Sequence, residues 1–320
     1  MTEPTNRPIV LVAMGGHAFM QRGETGDIHD HERNAVAICG SLMTLVERNY
    51  NLVVTHGNGP QVGNLLLQNE LTRDSVPSMP LDVLVANTEG FLGYVLQQAL
   101  LNHLRRREMK RYVVTMITQV LVERDDPAFQ NPSKPIGPFL TKEQAEERRD
   151  RLGWKILEDA GRGWRRLVAS PRPVRVVQRH MIRDSACAGH IVVACGGGGI
   201  PIVRGENRDY EGIEAVIDKD LTSSVLAAEI GAELLIILTD VPQVYVHYGK
   251  PEQKALGAVT LEEIEALQAE GHFGKGSMGP KVEAIVNFLK AGGKRGLITS
   301  PARLGDAMDG RAGTHFIGKI

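Results

Sequence analysis

Cysteine is scarce: Cys39, Cys187 and Cys195 are the only three in 320 residues. They are too few and too scattered for a disulfide framework, and no CxxC pair offers a zinc or redox motif. Buried reduced thiols are the expected state, as in a cytosolic protein. Long hydrophobic runs are also missing. The first apolar stretch, Ile9–Met14, is too short for a signal-peptide core or a membrane span and stops at Gly15-Gly16. A soluble, cytoplasmic protein with no membrane partner is expected. Neither sign of charge dominates: Lys plus Arg number 37 and Asp plus Glu 38, so no basic field exists to hold nucleic acid. Aromatics are only 5%, whereas glycine reaches 35 residues, much of it clustered, which points to loops lined by backbone. Hydrophobic residues at 42% and charged residues at 23% fit a globular chain rather than a disordered one. The length allows one large domain or two medium ones.

Strand and helix patterns alternate along the chain. Ile9–Ala13 is a β-branched-rich run of the kind that fills a strand covered on both faces, and Leu52–Thr55 is a second such run. Helical patterns are expected near 32–48, after Pro60 (with Val62, Leu65 and Leu66 at helical spacing) and at 81–104, with a strand at 112–117. The second half repeats the theme: strands at 191–195 and 234–238, helices at 221–230, 261–270 and 281–291, and a last strand beginning at Gly296. Such alternation predicts an α/β fold with a mainly parallel sheet. Between about 123 and 173 the pattern breaks. Pro127, Pro132, Pro135, Pro138, Pro171 and Pro173 surround a charged helical segment, 142–151. Proline at that density predicts an insertion or small subdomain outside the main sheet.

Four glycine-rich loops follow strands or precede helices: Met14-Gly15-Gly16-His17, His56-Gly57-Asn58-Gly59-Pro60, Cys195–Gly199 and Gly276-Ser277-Met278-Gly279-Pro280-Lys281. Glycine lets backbone N–H groups approach an anion, and a helix N-terminus adds partial positive charge. One such loop is ordinarily a turn, but several at the carboxyl ends of strands in one sheet converge on a ligand crevice. Neither a Walker A motif nor a dinucleotide GxGxxG is present, since Gly57, Gly59 and Gly63 are spaced one residue too far. Lys134, Lys219 and Lys281 lie near these loops and could supply the positive charge that phosphoryl transfer needs. Asp218-Lys219-Asp220 before a helix could equally be a cap. No carboxylate cluster with metal-site spacing is evident, so no protein metal ligand is expected.

These residues resemble the carbamate kinases of the amino acid kinase family. The resemblance rests on His56-Gly57-Asn58-Gly59-Pro60-Gln61-Val62-Gly63, Pro132–Gly137, Ser170–Pro173, Gly196–Pro201, Glu214–Leu221, Thr239–Val241 and Gly276–Val282, in family order across nearly the whole chain. It implies a single open three-layer αβα sandwich with a mainly parallel central sheet and a small protruding subdomain. It also implies reversible phosphoryl transfer between ATP and carbamate, giving ADP and carbamoyl phosphate, with Mg2+ held largely by the phosphates. A homodimer is implied as well, with an acceptor site in the N-terminal half and a nucleotide site in the C-terminal half.

Carried over by position, Lys134, Lys219 and Lys281 face the phosphates and Asp220 holds the lysines. Gly15, Gly16, His17, Gly57, Asn58, Gly59, Gly197 and Gly198 bind the acceptor and the transferred group. Thr239, Asp240, Tyr245, Ser277 and Met278 bind the nucleotide. One position departs: the first loop carries His17 where carbamate kinases usually have Asn. Two other readings stay open, a kinase of the same fold for another small acid or phosphate and a nucleotide-binding regulator without turnover.

Overall fold

The computed structural model describes residues 6–15, 18–21, 23–159, 161, 163–274 and 278–318. Gly16, His17 and Ser277, all expected at the site, lie outside the described residues. The chain opens with β1 (Ile9–Met14), α1 (Ile28–Glu47), β2 (Asn51–His56), α2 (Gly59–Thr72) and α3 (Leu81–Arg106). Next come β3 (Val113–Thr115), β4 (Gln119–Val122), β5 (Lys134–Leu140), α4 (Lys142–Leu152), β6 (Lys155–Glu158), β7 (Trp164–Val168) and β8 (Pro173–Val176). The middle of the chain forms α5 (Arg179–Cys187), β9 (Ile191–Val193), β10 (Ile200–Arg204), β11 (Tyr210–Gly212) and α6 (Lys219–Glu229). Then follow β12 (Leu234–Leu238), β13 (Tyr245–Val246), β14 (Lys254–Ala255), β15 (Ala258–Thr260) and α7 (Leu261–Ala269). The described chain closes with α8 (Met278–Lys290), β16 (Arg295–Thr299), α9 (Leu304–Met308) and β17 (Thr314–Ile317).

Eight strands build the main sheet in the order β15-β17-β16-β12-β1-β2-β9-β3. Neighbours run parallel except β16 and β17. Every residue of β1 is buried, and successive side chains enter opposite layers. Ile9, Leu11 and Ala13 join the core packed by α5, α6, α7 and α8, through Ile182, Leu226, Ile264 and Val282. Val10, Val12 and Met14 join the core packed by α1, α3 and α9, through Ile38, Leu92 and Leu304. A continuous apolar run is what a strand feeding two layers requires. The result is the three-layer αβα sandwich with a mainly parallel sheet. Among the described residues no helix is long and apolar enough to cross a membrane.

The strand at Gly296 is not the last. β17 returns antiparallel to β16, with Ile298 opposite Thr314. Three smaller sheets stand apart from the main one among the described residues: β11-β10-β4-β8, β5-β7-β6 and the two-stranded β13-β14. The proline-rich stretch is more regular than proline content predicts. Pro135 and Pro138 lie within β5, an edge strand, where a missing N–H can face outward without breaking a ladder. The charged segment is α4, started by a Thr141–Gln144 capping box. Glu70 of α2 ties the β5-β7-β6 sheet to the body by accepting from Trp154 Nε1 at 3.1 Å and from Arg166. Gly63 of α2 faces Gly137 so closely that a Cβ at Gly63 would stand 2.1 Å from the Gly137 backbone. This approach seats β5, and with it Lys134, beside the sandwich.

Candidate active site

β1, β2, β9 and β12 are parallel, so their carboxyl ends share one edge of the sheet, where open α/β sheets bind ligands. The loops after β1, β2 and β9 carry Gly15, Gly57–Gly59 and Gly196–Gly199, and Thr239 follows β12. The first turns of α6 and α8 bring Lys219 and Lys281 to the same edge.

Asp218 is the N-cap of α6. Its Oδ1 accepts from the N–H groups of Asp220 at 2.9 Å and Leu221 at 3.3 Å. Its Oδ2 accepts from Lys134 Nζ at 2.7 Å, across 84 residues of chain. One carboxylate therefore caps the helix and receives the lysine of the β5-β7-β6 sheet. Asp220, 3% exposed, accepts from Lys219 on Oδ1 and from Lys281 on Oδ2, the latter at 3.1 Å. Asp220 thus holds two of the three lysines, while Lys134 is held by Asp218. The resemblance implies Asp220 for all the lysines; the hydrogen bonds divide them between Asp220 and Asp218.

Burial opposes ionisation of both carboxyls, but the lysines outweigh it. Lys134 and Lys219 hold Asp218 well below the usual carboxylate range, and Lys219 and Lys281 do the same for Asp220. Burial and the neighbouring Lys281 pull the Lys219 ammonium down. Burial also acts to lower Lys281, yet Asp220 leaves it above the ordinary lysine range. The hydrogen-bonded cluster thus gathers three ammonium groups on two carboxylates, an arrangement that suits an anionic guest.

Asn58 caps α2 by position but not by side chain. Its buried Nδ2 donates to Thr88 Oγ1 at 2.8 Å instead. The carboxamide packs on the glycine loop: a Cβ at Gly197 would stand 2.1 Å from Asn58 Nδ2, and the Gly197 φ of +67° also favours glycine. Gly57 spends its N–H on Met14 O and Gly198 on Cys195 O, each at 3.1 Å, so these two glycines shape the loops rather than offer donors. The first-turn N–H groups of Gly59 and Gln61 have no acceptor within the helix and point out of its N-terminus. Gly15 lies beside β12, its would-be Cβ 3.8 Å from Leu238 O. Thr55 of β2 and Ser223 of α6, whose hydroxyl oxygens are 2.6 Å apart, tie the two halves of the chain together, and Thr222 of α6 holds the glycine loop by donating to Gly198 O at 2.8 Å.

The nucleotide candidates stand farther along the same edge. Thr239 donates its N–H to Thr299 O at 2.9 Å, and Asp240 is exposed and helps hold the charge on Lys281. Tyr245 pairs with Ala255, its ring centroid 6.0 Å from that of Tyr248. Met278 begins α8 and packs on the first core layer.

Two further residues reach the cleft. Arg165 of β7 stretches from the β5-β7-β6 sheet, donating to Gly137 O at 3.1 Å, and its Nη2 comes within 3.8 Å of a would-be Cβ at Gly59. Nothing in Trp164-Arg165-Arg166 distinguished it from a surface basic pair. His56 is buried at the end of β2; burial lowers its imidazole to about 4, a direction that nearby Lys219 reinforces, so the ring is neutral. Among the described residues no group of three His, Cys, Asp or Glu side chains is placed to hold a metal ion, and Asp218 and Asp220 are already engaged by lysines.

A model of the amino acid kinase family matches residues 8–300. The carbamate kinase of Thermococcus kodakarensis is 45% identical over 311 residues, covering 96% of this chain and 98% of that protein. The solved carbamate kinase of Giardia lamblia bound to citric acid superposes with a TM-score of 0.94 at 40% identity, covering 98% and 99% of the two chains. The same enzyme bound to AMP-PNP gives a TM-score of 0.90 at 41% identity, again over 98% and 99%. Motif order, fold and full-length similarity agree: the chain belongs to the carbamate kinases of the amino acid kinase family.

Proposed function

We propose that this chain is a carbamate kinase, catalysing reversible transfer of a phosphoryl group between ATP and carbamate. The observation that carries the reading is the lysine–aspartate cluster, Lys134 on Asp218 and Lys219 with Lys281 on Asp220, on a helix that also holds the glycine loop through Thr222 and Gly198. In the forward direction a carbamate oxygen attacks the terminal phosphorus of ATP. The bond from that phosphorus to the bridging oxygen breaks, and ADP leaves with the electron pair. Such a transfer asks for positioning and for positive charge on the migrating oxygens. Lys219 and Lys281 supply that charge from rigid helix starts, and Lys134 supplies it from the protruding sheet. The α2 N-terminus and Asn58 orient the acceptor. Thr239, Asp240, Tyr245 and Met278 border the nucleotide. Mg2+ enters with the nucleotide, coordinated by its phosphate oxygens. The residues at 123–173 form the protruding subdomain that brings Lys134 to the phosphates.

ADP and carbamoyl phosphate, incubated with the protein and Mg2+, should yield ATP. Nucleotide binding without ATP formation would overturn the reading. His17 gives a second reading its one foothold, since the first loop carries an imidazole where carbamate kinases usually have an amide. A neutral imidazole donates one hydrogen bond, as one amide N–H does, so His17→Asn should keep the activity. ATP formation by His17→Asn but not by the natural chain would point to a different acceptor, to be found among other small acids. A homodimer is also proposed, and sedimentation at micromolar concentration showing only monomer would reject it.

A further inference from the structure

Glu89 lies inside α3, 1% exposed, with no role in the cluster just described. Its Oε2 accepts the Thr118 N–H at 2.8 Å, and among the described residues its Oε1 has no hydrogen-bond partner. Thr118 in turn grips both ends of the glycine loop. Its hydroxyl oxygen accepts from Cys195 N–H at 3.0 Å, and its carbonyl accepts from Ile200 N–H at 2.8 Å. Gly196 rests directly on Glu89: a Cβ there would be 3.0 Å from Glu89 Cγ and 2.6 Å from His56 Nε2. The preceding residue, Thr88, receives the Asn58 amide. Two adjacent residues of α3 thus fasten the Asn58 loop and the Gly196–Gly199 loop from below.

We propose that Glu89 is a positioning residue for phosphoryl transfer, fixing the glycine loop through Thr118 and by its own contact with Gly196. The proposal rests on the reading of the cleft as a phosphoryl-transfer site. A carboxylate in this place would set a negative charge beneath an anionic guest, so the role calls for the neutral acid. Its surroundings favour that form. Burial pushes the Glu89 carboxyl well above the usual range, and the Thr118 and Gly196 N–H groups offset only part of the shift. From the end of β2 it faces neutral His56, and beyond that ring stands Lys219 of α6. From the end of β9 it faces Cys195, whose thiol is pushed up by burial.

Glu89→Gln keeps the shape and the neutrality, whereas Glu89→Ala removes the support. For ATP formation at pH 7, the Gln variant should stay within about threefold of the natural kcat. The Ala variant should lose on the order of 10–100-fold, the scale of a slightly misplaced reacting group, with ADP affinity unchanged. A second readout needs no activity. The folded protein keeps the Glu89 proton to higher pH than the unfolded chain, which releases it near ~4.3. Stability of the natural chain is therefore lost as pH rises above that value, and Tm of Glu89→Gln minus Tm of the natural chain should grow with pH. A Gln variant as impaired as Ala, an Ala variant with unchanged kcat, or a Tm difference flat with pH would each overturn the proposal. A natural chain that makes no ATP would defeat the carbamate kinase reading instead, while the Tm series would still report the state of Glu89.

Discussion

Asp218 shows how much one side chain can carry here. The oxygen that caps α6 and the oxygen that receives Lys134 belong to the same carboxylate. Asn is an equally good N-cap, so Asp218→Asn keeps the cap and removes only the charge that holds Lys134. Losing a charged hydrogen bond of this kind should cost about 2 kcal/mol near neutral pH. Because the folded carboxyl is held low, its contribution is present above the unfolded value near ~3.9 and disappears as pH falls through the folded value. Thermal melts should place Asp218→Asn below the natural chain at pH 7, with the gap closing as the pH drops below about 4. A gap of constant size down to pH 3 would contradict the ion pair. The functional sense of Asp218 was not legible in the sequence, because its partner is 84 residues away and the local pattern was already satisfied by capping.

At the scale of elements, the sequence was most legible where a strand or helix is long and its environment uniform. The runs Ile9–Ala13 and Leu234–Leu238 are buried on both faces and read as strands without ambiguity. Short strands, on the smaller sheets and near one margin of the main sheet, were not legible. β10 contains Pro201, β11 is three exposed residues, and β17 is four residues following a glycine-rich turn. β5 was hidden for the same reason, since Pro135 and Pro138 are strand-compatible only once the strand is known to be an edge. The Gly63–Gly137 approach, which no local pattern announces, makes an element-level prediction. An Ala at 63 meets backbone that no rotamer change can move, so β5 must shift away from α2. Gly63→Ala should lower stability by about 1–3 kcal/mol, the usual cost of overpacking. It should also raise KM for carbamoyl phosphate, because Lys134 moves with β5, and leave ADP binding unchanged. An unaltered melting temperature and KM would show the two elements to be less tightly coupled than their spacing implies.

For the whole molecule, a formal net charge of −1 conceals a strongly uneven distribution. Three lysines converge on two aspartates at the edge of the sheet where four parallel strands end, and loops from both halves of the chain meet there. The central proposal is that this cluster supplies the positive charge for phosphoryl transfer, with the sheet edge as its scaffold. Lys219 tests the claim most directly. Removing its ammonium leaves Asp220 still paired with Lys281, so the variant should fold and should still bind ADP. The decisive measurement is the single-turnover rate of ATP formation from ADP and carbamoyl phosphate by Lys219→Ala, on samples whose melting temperature and ADP affinity match the natural chain. The account predicts a loss on the order of a hundredfold, as for one aligned charge removed from a transition state. A rate within about twofold of the natural chain would contradict it.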